Sequence, residues 1–145
     1  MMDAVDIKNR ASVRIRYAET DKMGVVYNSN YFIFFDVGRV ELMRSYGMQY
    51  SDLEKAGYYL PLVESYAKYI NSAYYDDYLE IEVMLKWDFK PILKFEYSIY
   101  RNDELITTGF TTHCFMSTKT MKPVRPPKVF VDSIVKFKKQ RDILS

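Results

Sequence analysis

A helix with almost no polar side is the feature that most limits what this chain can become. From Ser29 to Tyr46 the sequence reads SNYFIFFDVGRVELMRSY, and Tyr31, Phe34, Phe35, Gly38 and Leu42 recur at the three- and four-residue spacing of one helical face. Phe32, Ile33, Val37, Val40 and Met43 fill most of the remaining circumference. Little of such a helix can face water, so other structure must wrap it. Asn28, Ser29 and Asn30 are three consecutive residues of the N-cap type, which predicts a start near Ser29. Tyr46-Gly47 predicts the stop, with glycine in the left-handed conformation that closes many helices.

The wrapping material is legible as strands. Ser12 to Ala18 sets Val13, Ile15 and Tyr17 against Ser12, Arg14 and Arg16, the period of a half-buried strand. Leu60 to Ile70 predicts a second strand, with Pro61 admitted only at its start or at an edge. Leu79, Ile81, Val83, Leu85, Trp87 and Phe89 then alternate with Glu80, Glu82, Met84, Lys86 and Asp88, so one face packs and the other is solvated. After a turn at Lys90-Pro91, Phe95, Tyr97 and Ile99 alternate again. Asn102-Asp103 makes a two-residue hairpin link, and Leu105 to Ser117 returns as a last long strand. Ser51 to Gly57 reads as a short capped helical turn, and Asp132 to Leu144 as a short C-terminal helix, basic at its end where the helix dipole favours cations. One long helix with about five antiparallel strands, four of them consecutive, is an α+β pattern in which the helix covers one face of the sheet.

Composition bounds the function. The 145 residues are 48% apolar and fit a single domain over 1–145. A net charge of +2 is too small to argue for a nucleic-acid partner. The single Cys allows no intramolecular disulfide, and no apolar run approaches the roughly 20 residues of a membrane span. The opening MMDAVDIKNR carries two acids and no apolar core, so no signal peptide and a cytoplasmic location are expected. Fourteen tyrosines and nine phenylalanines suit a sticky core, a ligand groove or a subunit interface. The only histidine, His113, lies beside Cys114 in a predicted strand with no Gly-x-Ser-x-Gly nearby, so a catalytic triad is not expected. A lone His with a lone Cys is a poor metal set, and no Gly-rich phosphate cradle is present. The basic run Lys136 to Arg141 reads as a solvated helix end, or as a contact for nucleotide phosphates.

One segment carries chemistry. Asp21-Lys22-Met23-Gly24 has Asp and Gly where a type I turn prefers them, so Asp21 reads first as a turn former. The helix that follows would direct free N–H groups and its positive dipole end back towards this loop, a place for an anion or a developing oxyanion. A carboxylate that attacks a carbonyl or activates water, beside donors for the oxyanion, is what hydrolysis of an activated ester needs, and it needs no metal.

Tyr17-x-x-Thr20-Asp21-x-x-Gly24-Val25-Val26-Tyr27-x-x-Asn30-Tyr31, followed by Phe35-Asp36-x-Gly38-Arg39, resembles the signature of the hotdog-fold acyl-CoA thioesterases of the 4-hydroxybenzoyl-CoA thioesterase type. The resemblance extends from about residue 11 to 130, through Asp76-Asp77, the strand of Glu80 and Glu82, the Asn102-Asp103 hairpin and the Thr118 to Pro126 segment. It implies a hotdog fold, an antiparallel sheet wrapped around one long central helix, and hydrolysis of an acyl-CoA to a carboxylic acid and free CoA. It further implies that Asp21 is nucleophile or general base, and that backbone N–H groups near Gly24, Tyr27, Asn28 and Ser29 polarise the carbonyl. No cofactor is implied, CoA being part of the substrate. The expected assembly is a homodimer or a dimer of dimers (a homotetramer), with the substrate groove at the dimer interface. Some hotdog thioesterases place their acid on another element, which makes Glu64 a possible second carboxylate. Many relatives have His where this chain has Asn28, and Asn cannot exchange a proton near neutral pH. The alternative reading is therefore a non-catalytic or weakly catalytic module that binds acyl-CoA or acyl carrier protein. Asp36 and Arg39, three apart on the helix, are expected to form a structural pair.

Overall fold

The computed structural model describes residues 4–144; Met1 to Asp3, which begin the opening segment read as no signal peptide, and Ser145 lie outside the described residues. A five-stranded antiparallel sheet is formed by β1 (Val5–Arg14), β3 (Leu62–Tyr69), β4 (Tyr78–Trp87), β5 (Leu93–Arg101) and β6 (Glu104–His113), in the order β1-β4-β5-β6-β3. The long helix α1 (Asn30–Ser45) packs on one face of it. The α+β expectation holds, including Pro61 just outside an edge strand.

Register explains the core. In β4, Leu79, Ile81, Val83, Leu85 and Trp87 are buried, and in β5 Leu93, Phe95, Tyr97 and Ile99 are buried, so both strands turn the same parity to the helix. Against them lie Tyr31, Phe34, Phe35, Leu42 and Met43 of α1, with the Phe35 ring stacked on Tyr97 at 4.3 Å between centroids. Gly38 permits this close approach. A Cβ there would stand 2.5 Å from Val83 Cγ2 and 2.7 Å from Ile81 Cγ2, inside contact distance. The helix is not wrapped on every side, however. Ile33 is 56% exposed, and Phe32, Val37 and Val40 are only partly buried.

The ends of several elements depart from expectation, among them that of β4, since Phe89 lies beyond it at φ +66°. The first strand runs Val5–Arg14, so it begins well before the expected Ser12 and ends before Ile15; Ile15 to Ala18 lie outside it, the last two in a 3-10 turn at Tyr17–Glu19. The last long strand breaks at Cys114, whose N–H donates to Pro61 O. Beyond it β7 (Phe115–Ser117) joins β2 (Tyr58–Tyr59) and β8 (Pro123–Val124) in a separate small sheet. The C-terminal helix α3 (Lys128–Leu144) is present as expected but begins before Asp132, directly after Pro126-Pro127. The side chains of Asn28 and Ser29 do not cap α1. Ser29 is the N-cap residue but makes no side-chain cap hydrogen bond.

The helix stops as expected. Gly47 takes φ +74°, and the N–H groups of Gly47 and Met48 donate to the carbonyls of Arg44 and Met43, which is a Schellman closure. A short helix α2 (Tyr50–Lys55) follows, ended by Gly57 at φ +98°. At the other hairpin, Asn102 takes φ +54°. Arg141 of the basic run donates to Ser45 O at 2.9 Å and lies 4.2 Å over the Tyr46 ring, so this cation serves the C-terminus of α1. Lys138 pairs with Asp142 at 3.2 Å.

Beneath α1 runs a buried polar path. Arg39, 8% exposed, donates to Asp36 at 2.6 Å, to Tyr50 Oη at 2.8 Å and to Tyr97 Oη at 3.1 Å. The expected Asp36–Arg39 pair is therefore the exposed end of a deeper network, and the charge it holds is well desolvated. Tyr97 Oη and Thr111 Oγ1 are 2.5 Å apart, and His113 Nε2 is 3.0 Å from Thr111 Oγ1, with Nδ1 3.2 Å from Leu60 O. His113 thus has a structural place, as its isolation in the sequence suggested.

Burial, reinforced by the Arg39 charge, pushes the His113 imidazole down from 6.5 to about 4. The folded protein keeps this ring neutral while the unfolded chain protonates it from about pH 6.5 downward, so the contribution is complete above that pH and lost as pH falls towards 4. Its size is about 3 kcal/mol. Denaturant unfolding from pH 7 to pH 4 should show this loss in the native protein and not in His113→Gln; parallel pH profiles would contradict it.

Candidate active site

The Asp21 loop is built outward from Glu19. The 3-10 turn brings the Glu19 carboxylate, 8% exposed, onto the Arg16 amide at 2.8 Å and the Arg16 Nε at 2.8 Å. Burial opposes the charge on Glu19, but these Arg16 contacts outweigh it and hold the carboxyl below its ordinary range. The main-chain carbonyl of the same residue accepts the Tyr27 N–H at 2.9 Å and the Asn30 side-chain amide at 2.8 Å. One residue therefore ties the strand end, the far side of the loop and the first residue of α1 together.

Between these ties the chain makes a tight turn. Gly24 N–H donates to Asp21 O at 3.0 Å, Asp21 N–H donates to Val25 O at 2.9 Å, and Gly24 holds φ +78°, which a side chain would resist. Asp21 Oδ1 accepts the N–H groups of Met23 at 2.8 Å and Val25 at 3.2 Å. The turn-former reading of Asp21 is true of that oxygen. The other, Oδ2, receives no donor from the described residues, and the residue is half-buried. Behind the loop, Val26 donates to Ala73 O at 2.9 Å and Tyr75 to Gly24 O at 3.2 Å. This backing segment is itself braced by Asp77, which accepts from Arg101 at 2.6 Å and from the Tyr74 N–H at 2.9 Å.

The helix start follows at once. Asn30 N–H donates to Tyr27 O, Tyr31 N–H to Asn28 O and Phe32 N–H to Ser29 O, so α1 opens through three tightened turns. Of the four residues expected to position the carbonyl, Gly24 and Tyr27 have their N–H groups engaged within the loop. The N–H groups of Asn28 and Ser29 find no acceptor among the described residues. Tyr69, from the end of β3, donates its hydroxyl to Asn28 O at 3.1 Å. Glu64 is elsewhere: it stands exposed on β3 opposite Thr112, just after a bulge, and no contact joins it to the Asp21 loop.

Around this unit the aromatic surplus surfaces. Tyr17, Tyr27, Tyr74 and Tyr75 are each about half exposed or more, and Tyr17 meets Tyr75 edge-on at 6.0 Å. A cleft of about 290 Å³ opens beside the helix start between Val13, Arg16, Glu19, Asn30, Ile33 and Val37. The sequence reading missed Glu19, Tyr69 and the depth of Arg39. Only Glu19 carried a signal, standing three residues after Arg16 at the point where strand alternation fails.

The model of the thioesterase-like superfamily matches residues 15–134. YneP of Bacillus subtilis (strain 168), whose name assigns it provisionally as an acyl-CoA thioesterase, is 32% identical over 139 residues, covering 92% of this chain and 97% of its own. The DHNA-CoA thioesterase of Staphylococcus aureus superposes with a TM-score of 0.83 at 28% identity, covering 96% of each chain. A mutant 4-hydroxybenzoyl CoA thioesterase complexed with 4-hydroxybenzoyl CoA shares the fold, with a TM-score of 0.77 at 18% identity over 88% of this chain and 98% of its own. With the family's match running from the strand end before the Asp21 loop into the C-terminal helix, and with the sheet and central helix superposing on these structures, the chain belongs to the thioesterase-like superfamily and has its hotdog fold.

Proposed function

We propose that this protein is an acyl-CoA thioesterase in which Asp21 supplies the reacting carboxylate and the N–H groups of Asn28 and Ser29 receive the oxyanion. The observation that carries this reading is the bonding of the Asp21 turn and the start of α1 into one unit through Glu19. That unit offers a carboxylate oxygen and two amide donors, none of them engaged by the described residues. In one route Oδ2 attacks the thioester carbonyl, the C–S bond breaks and CoA leaves as the thiolate. Water then cleaves the acyl-aspartyl anhydride, releasing the acid and restoring Asp21. In the other route Asp21 takes a proton from the water that attacks. Both need the carbonyl oxygen to gain negative charge beside fixed donors, and the first turn of α1 adds its dipole at that point. The tyrosines around the loop supply apolar surface for the acyl group or the pantetheine arm.

A binding module is the second reading, and Asn28 favours it. Its side chain is exposed and has no hydrogen-bond partner among the described residues, and an amide neither takes up nor gives a proton near neutral pH.

A panel of acyl-CoA substrates read through the released thiol separates the two. The native protein should release CoA, and Asp21→Asn should lower kcat by at least about a hundredfold. The amide keeps an oxygen where Oδ1 holds the turn, so the variant should remain folded. Native turnover in Asp21→Asn would remove Asp21 from the reaction, and no release from any substrate by the native protein would leave the binding reading.

The exposed edge of β3 supports an assembly of more than one copy. β3 is an edge strand, and Leu62, Val63, Tyr66 and Tyr69 on it are about half exposed, which is a liability unless another strand or copy covers it. A homodimer formed across this region, alone or paired into a tetramer, would do so. Light scattering at micromolar concentration should return at least twice the chain mass of 17.3 kDa, and a value at the chain mass would contradict the dimer.

A further inference from the structure

We infer that Tyr69 is a positioning residue for thioester hydrolysis, holding the turn that presents the Asn28 and Ser29 N–H groups. Tyr69 stands far from both in sequence, on the last position of β3, yet its hydroxyl donates to Asn28 O at 3.1 Å. That carbonyl belongs to the peptide whose N–H is that of Ser29, and the same residue carries the Asn28 N–H. Holding residue 28 by its carbonyl therefore restrains both donors that lack an acceptor among the described residues. The carbonyl's other contact is with the Tyr31 N–H at 3.3 Å, which alone would leave the turn loosely fixed.

Tyr69 can do this because its own position is set twice. Its strand pairs with β6 through Thr107, and its ring lies 5.5 Å from the buried Tyr31 ring in the first turn of α1. At 3.1 Å the hydroxyl contact is slightly longer than the usual O–H···O range of about 2.5–3.0 Å, so its effect is to orient the peptide more than to polarise it. Orientation matters because preorganised donors act on the transition state without reorganising during the reaction.

This inference rests on the reading of the Asp21 loop as a thioesterase site, and the test separates the two. Tyr69→Phe keeps the ring against Tyr31 and removes only the hydroxyl. With an acyl-CoA that the native protein hydrolyses, kcat should fall about two- to tenfold, as expected for one lost hydrogen bond felt in the transition state. KM should stay within about twofold, and the melting temperature should be unchanged. The backbone amide resonance of Ser29 should shift in the same variant, a readout independent of turnover. Native kcat in Tyr69→Phe would overturn the positioning role while leaving Asp21 chemistry standing, and so would a loss of kcat that only tracks a lower melting temperature. If the native protein releases no CoA and Ser29 is unshifted, both the inference and the reading beneath it fall.

Discussion

The carbonyl of Glu19 is the point on which the site depends. A loop of seven residues between Glu19 and Tyr27 has little to hold it to the start of a helix, because the backbone of a tight turn satisfies itself. Here the Glu19 carbonyl accepts the Tyr27 N–H from one side and the Asn30 side-chain amide from the other. The Glu19 side chain, buried against Arg16, fixes that carbonyl in turn. The cost of placing a carboxylate where water scarcely reaches is offset by a charge-assisted pair with several hydrogen bonds. The outcome is geometric: Asp21 and the amides of residues 28 and 29, which no described residue engages, belong to one bonded unit.

The rest of the fold keeps that unit in place. Gly38 lets α1 settle onto Ile81 and Val83, and burial of Phe35 and Leu42 in the layer above contributes about 1.5–3 kcal/mol per side chain. The path from Asp36 through Arg39, Tyr97 and Thr111 to His113 crosses the same layer. Cutting it would strand a buried guanidinium, which costs more than the visible Asp36 pair suggests. Ala73 and Tyr75 then back the loop from outside, held by the Arg101–Asp77 pair.

Periodicity made the helix and the sheet legible, though not the ends of most strands, since burial of alternate residues in β4 and β5 is a local property of sequence. What periodicity could not show was where alternation continues without a strand. Tyr17 keeps the parity of Val13 and Ile15 but sits in a turn at 78% exposure, because Glu19 finds Arg16 three residues back and bends the chain. Likewise Phe115 keeps the strand character of β6, yet the break at Cys114 sends it to another sheet. In the site, the motif pointed to Asp21 and the helix start, but the division of amides into engaged and free is set by long-range bonds. Tyr69 lies 41 residues from Asn28, and no spacing rule joins them. Nor could the sequence tell that Asn28 and Ser29, good capping types, would leave capping undone while Asn30 reaches back to Glu19.

Catalysis at this site turns on where a thioester carbonyl lies. The most direct measurement is a crystal structure of Asp21→Asn soaked with an acyl-CoA that the native protein hydrolyses. The account predicts the thioester oxygen at about 2.7–3.1 Å from the amide nitrogen of Asn28 or Ser29, with the residue 21 side chain on the carbonyl carbon side. A thioester bound with its carbonyl directed away from both amides, or held at another surface of the protein, would contradict it.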